Sequence, residues 1–157
     1  FMAVGTLAGI AGCLLYGFIS DRWFAARRPP ANLLFAIAEL AGLYLIFFGP
    51  ADAVALTAGF ILFGVGLNGL VTSLGGLFAI DIAPKKVAGA AMGFIGVFSY
   101  LGAAIQENIS GALIEGGMQV AGDVRTYDFG PAITFWIGSS FVSMLLAATL
   151  WRVRLRE

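Results

Sequence analysis

Histidine is absent from this chain, cysteine occurs once, and charged residues make up only 11% of it. Each scarcity excludes something. Without histidine there is no imidazole for metal ligation, for general-base work or for a proton relay. Cys13 stands alone in an apolar stretch, so it forms no internal disulfide and packs as a small apolar side chain. An ordinary globular domain carries about 25% charge; less than half of that, at zero net charge, gives no electrostatic case for a nucleic-acid partner. No phosphate loop, nucleophile elbow or metal-ligand spacing occurs, so neither an enzyme, a cofactor nor a metal is expected. The chain opens at Phe1 inside an apolar run, without a basic leader, so no signal peptide is expected and the stretch reads as part of something longer.

What remains is apolar. Hydrophobic residues make up 60% of the 157 positions, and 22 are glycine. A bilayer core needs about 20 apolar residues per helix at about 1.5 Å rise each. Five segments qualify, roughly residues 1–20, 32–48, 54–80, 87–114 and 131–151. They are separated by SDRWFAARRPP, GPAD, DIAPKK and the one long connection, EGGMQVAGDVRTYDFGP. Long continuous apolar runs favour helices over barrel strands, so the expected class is all-α, a polytopic membrane protein embedded in a lipid bilayer.

Charge orients the spans. Lys and Arg accumulate in cytoplasmic loops. Arg22, Arg27 and Arg28 follow the first span, Lys85 and Lys86 the third, and Arg152, Arg154 and Arg156 the fifth, leaving Arg125 alone on the other side among nine basic residues. This puts the carboxyl terminus in the cytoplasm and Phe1 outside. Two glycine stripes, Gly5, Gly9 and Gly12, then Gly89, Gly93 and Gly96, are spaced to let helices approach closely or slide.

Polar residues inside the spans are candidate functional groups, because a charge at a helix centre costs roughly 2.5–3.5 kcal/mol on insertion scales. In GAAIQENISG, Gln106, Glu107 and Asn108 lie about 30 Å along the fourth span from Val87, near its outer end. They read as an outer vestibule or gate. Tyr100 lies roughly 20 Å in, just past the midplane, on one stripe with Gly89, Gly93, Gly96 and Glu107 and with Ser99 beside it. Such a face suits a helix lining a water-filled path. In the third span Asn68 lies near the midplane and shares a face with Thr72 and Gly75, either as an interhelical hydrogen bond or as a cavity contact. Glu39 is the acidic residue nearest a membrane centre, as a structural group whose partner the sequence does not reveal, or as a coupling-ion carboxylate.

The loop GFISDRWFAARR resembles the cytoplasmic motif of the major facilitator superfamily. The stretch IDIAPKKVAGAAMGFIGVFSYLGA is similar to a narrower pattern, found in that superfamily's organophosphate:phosphate antiporters. The resemblance implies that the five spans correspond to helices eight to twelve of a twelve-helix fold. Residues 1–157 would then be an incomplete carboxy-terminal six-helix half, whose partner is the missing amino-terminal half. It implies alternating access in a multi-pass protein of a bacterial inner membrane, with a phosphorylated metabolite such as a sugar phosphate or glycerol 3-phosphate exchanged for inorganic phosphate. Tyr100 matches an aromatic site position, and Asn68, Thr72 and Ser99 fall in the cavity-lining region. The arginines that clamp phosphate in that family lie on its first and seventh helices, outside these residues. Asn68 and the polar QENIS stretch depart from the family pattern.

In the loops, Gly17, Asp21, Arg22, Arg27, Arg28, Lys85 and Lys86 form the motif and a candidate inner gate, in which ion pairs close the cytoplasmic side. Pure topology determination is the simpler alternative. Beside the exchanger stand two other functions, a transporter-like sugar-phosphate sensor acting through a membrane partner and a proton-coupled facilitator using Glu39 or Glu107.

Overall fold

A computed structural model describes residues 1–25, 27–121, 124–149 and 151. Among them five helices are long and apolar enough to cross a membrane. Helix α1 spans Met2–Trp23 and α2 spans Arg28–Phe48. The third span begins as α3, Ala53–Thr72, passes through a π-helical turn at Ser73–Leu77, and finishes as the short α4, Phe78–Ile82. Helix α5 runs Ala88–Gly116 and α6 runs Gly130–Thr149.

The helix ends follow local chemistry. Helix α2 begins four residues before the apolar run does, because Pro29 and Pro30 sit in its first turn, where a missing N–H is no loss. Asp52 caps α3, its Oδ1 accepting the Ala55 N–H at 2.8 Å. Asp128 Oδ1 accepts the Gly130 N–H at 2.9 Å where α6 begins. The long connection contains an element that the apolar runs do not announce, an antiparallel hairpin of β1, Met118–Ala121, and β2, Val124–Tyr127, with Met118 opposite Tyr127. Its four-residue strands lie outside the spans and are too short for hydropathy to reveal.

Packing is uneven. Helix α3 lies between α1 and α2 and contacts both along its length, and α2 also touches α6. Two glycines show how close these helices come: a Cβ on Gly64 would fall on the Gly5 carbonyl oxygen, and one on Gly66 would strike the Glu39 backbone. The buried core is Tyr16, Ala31 and Phe35, flanked by Ile19, Phe24, Val65, Leu70 and Leu77. It occupies the end of the bundle where α2 starts. Helix α5, in contrast, has no buried residue, and its contacts run mainly to the π turn, α4 and α6.

Candidate translocation path and basic-end clasp

The helices bring two groups of polar residues together. The first is a clasp at the basic end. Arg28, the first residue of α2, is 7% exposed. Its Nε donates to Asp81 Oδ2 at 2.6 Å, and its Nη1 donates to Ser20 Oγ at 3.0 Å and to Asp21 Oδ1 at 3.1 Å. One guanidinium thus ties α1, α2 and α4. The Asp81 carboxylate is the stronger partner, because its side chain is 26% exposed against 64% for Asp21, and an exposed pair is worth little.

One turn deeper, the fully buried Tyr16 hydroxyl hydrogen-bonds Asn32 Oδ1 at 2.6 Å and Ser73 Oγ at 2.8 Å. These contacts satisfy a phenol that would otherwise be buried unpaired. They also fix the first residue of the π turn to α1 and α2.

The other loop candidates do not join this network. Arg22, Lys85 and Lys86 are exposed and form no ion pair among the described residues. Arg27 Nη2 donates to the Trp151 carbonyl at 3.0 Å, which brings the end of the fifth span to this same end. A side chain at Gly17 would meet nothing. Arg152, Arg154 and Arg156 lie outside the described residues.

The second group is on α5. Tyr100 is 80% exposed, and every residue from Val97 to Ile109 is exposed, including Ser99, Gln106, Glu107 and Asn108. Asn108 Nδ2 donates only to Ala104 in its own helix, at 2.7 Å. Ser110, not the QEN trio, makes the interhelical contact: it accepts the Trp136 Nε1–H of α6 at 2.8 Å. The Trp136 ring also lies 5.9 Å from that of Phe47 on α2.

Asn68 and Thr72 are on a different surface from Tyr100. The Asn68 amide donates to the Gly64 carbonyl at 3.0 Å and lies against Gly9 of α1, while Thr72 Oγ1 donates to the Asn68 carbonyl at 2.9 Å. Their polar atoms are turned into their own helix, so the structure does not assemble them with Tyr100 and Ser99. Glu39 has the partner that the sequence left unnamed: Ser140 Oγ of α6 donates to its Oε1 at 3.1 Å. A cleft of about 210 Å³ between α2, the third span and α6 is lined by Pro29, Asn32, Ala36, Leu70, Leu74 and Ser143, among others, with no Lys or Arg in its lining.

Tyr16, Asn32, Ser73 and Asp81 are the site residues that sequence reasoning passed over. One signal was present. Tyr16 and Ser20 continue the Gly5, Gly9, Gly12 stripe at helical spacing, so the face that packs on α3 ends in hydroxyls.

Comparison with known proteins bears on the family. The profile described as Major Facilitator Superfamily matches residues 1–106. The glycerol-3-phosphate transporter of Bacillus subtilis is 33% identical over 92% of this chain and 30% of its own length. The membrane sensor protein UhpC of Salmonella typhimurium is 37% identical over 63% of this chain and 22% of its own. A probable hexose phosphate transport protein of Chlamydia pneumoniae is 34% identical over 62% of this chain and 22% of its own. The chain therefore spans less than a third of each of these relatives. No solved structure matches it. On its profile, the chain belongs to the Major Facilitator Superfamily.

Proposed function

We propose that this chain is the carboxy-terminal part of a membrane transporter that exchanges a phosphorylated metabolite, a sugar phosphate or glycerol 3-phosphate, for inorganic phosphate by alternating access. The observation that carries the reading is the bare stripe of α5, where a mid-depth tyrosine, a serine and small residues face no other helix. A lipid-facing surface has no use for that polarity; a water-filled path does. Tyr100 and Ser99 would contact the substrate from this side, and Gln106 and Glu107 would line the outer mouth. All nine Lys and Arg residues of the chain lie at span ends or in loops, so the cations that neutralise the phosphate belong to the rest of the protein.

The basic end is the cytoplasmic side in this reading, and the Arg28 clasp is its gate element. The names of the transporter relatives support the substrate class. The sensor among the relatives supports a second reading, in which the same path binds a sugar phosphate and signals without flux. Counterflow in proteoliposomes holding the full-length protein separates them. Saturable uptake of a labelled phosphate ester against internal phosphate is the expected result. Ester binding without uptake would establish the sensor.

A further inference from the structure

The third span changes its winding at one place. After twenty residues of α-helix the chain enters the π turn Ser73–Leu77 and then resumes as α4. A π turn holds one residue more than an α turn. Converting it to α winding would therefore rotate everything beyond it by about 100° and shift it by about 1.5 Å. The turn contains Gly75 and Gly76, and a side chain at Gly75 would meet nothing while one at Gly76 would reach only the Met92 methyl of α5, at 3.8 Å. The two glycines put no side chain in the way of rewinding, and what opposes it is the packing of Leu77 on the core and of the buried Ala79, which a rotated segment would have to repack.

What holds it is placed at its two sides. Before the glycines, Ser73 is tied to Tyr16, at 2.8 Å. After them, Asp81 is tied to Arg28, at 2.6 Å. A rotation of about 100° beyond Ser73 would carry the Asp81 carboxylate off the Arg28 guanidinium while leaving the Tyr16 contact intact. Among the described residues, helix α5 meets the rest of the molecule mainly at its two ends, at the π turn and α4 on one side and at α6, where Trp136 bonds Ser110, on the other. The exposed segment Val97–Ile109 lies between them.

We propose that the π turn is a two-state switch. With π winding, Asp81 is latched on Arg28; with α winding the latch opens, and the basic end of α5 swings about a pivot at Ser110 and Trp136. The device rests on the alternating-access reading and supplies that reading with a moving part. It satisfies the requirement that a transition have two discrete arrangements rather than a continuum.

The test uses the full-length protein in lipid nanodiscs, with Cys13→Ala and paired spin labels. One pair, at positions 18 and 94, reports the basic end of α1 against α5; the other, at 48 and 109, reports the pivot. Both states are expected as two distances at the first pair and one at the second. Asp81→Asn should collapse the first pair onto the unlatched distance. Deleting Gly75 removes the extra residue of the turn while keeping Asp81 in register, so it should leave only the latched distance. Gly75→Ala with Gly76→Ala, which favours α winding, should move the population as Asp81→Asn does and covers the case in which that variant fails to fold. An unchanged first pair in all the folded variants, or equal movement at both pairs, overturns the switch. In exchange assays the Gly75 deletion should bind the phosphate ester and lose flux. Switched distances without flux in the unmodified protein would refute the transport reading alone. Normal flux in the deletion variant would refute the switch alone.

Discussion

Helices α1 and α5 carry glycine stripes at the same spacing, four then three residues apart, and the fold uses them in opposite ways. A Cβ on Gly5, Gly9 or Gly12 would meet Phe60, Asn68 or Val65 of α3. A Cβ on Gly89, Gly93 or Gly96 would meet nothing within 4 Å. The first stripe ends in Tyr16 and Ser20, whose hydroxyls join the buried clasp; the second ends in Tyr100, which is open. Small residues at helical spacing therefore announce close approach only where another helix arrives. Without one, the same pattern leaves a helix face free for water, substrate or the other half of a transporter.

Identical substitutions should separate the two stripes. Gly12→Ala places a methyl on the Val65 backbone and should cost about 1–3 kcal/mol, as overpacking does, read as a lower Tm of the purified full-length protein in detergent. Next in size, Trp136→Phe removes the bond to Ser110 and should cost about 0.5–1.5 kcal/mol, with unchanged α1 packing. Gly93→Ala meets no atom and gains helix propensity, so it should raise stability by about 0.5–1 kcal/mol. A Gly93→Ala cost as large as that of Gly12→Ala would mean that the α5 stripe is packed in the whole protein and would break the comparison. Asn108→Ala, which removes only an intrahelical contact on an exposed position, should change stability by no more than about 0.5 kcal/mol.

The spans were legible because hydropathy is a long-range average that single residues cannot overturn. The five helices match the five apolar runs, with α2 starting earlier at its proline pair. The hairpin between α5 and α6 was not legible, since its short strands arise from a connection rather than from an apolar pattern. Depth counting ordered Tyr100 and Glu107 along α5, but could not say that Ser110 would take the hydrogen bond from α6, because that depends on where Trp136 falls. Spacing put Asn68 and Thr72 on one face. It could not tell that both would bond within their own helix while Gly9 closed over the amide. In the loops, the motif drew notice to Asp21, Arg22, Arg27, Arg28, Lys85 and Lys86, and of these Arg28 and Asp21 pair; the missing partner was Asp81, 53 positions from Arg28, which it meets only because the start of α2 and α4 come together.

The comparison between the stripes comes down to whether α5 faces water and substrate. Cysteine placed at Tyr100 in the full-length protein, treated with a water-soluble thiol reagent with and without a phosphate ester, measures that directly. The native Cys13, half-buried with its Sγ 3.6 Å from the Asn68 carbonyl, is the internal control. The account predicts rapid labelling at position 100 that the ester slows, and an inert Cys13. Labelling at 100 only by a lipid-soluble reagent, with no effect of the ester, would contradict it.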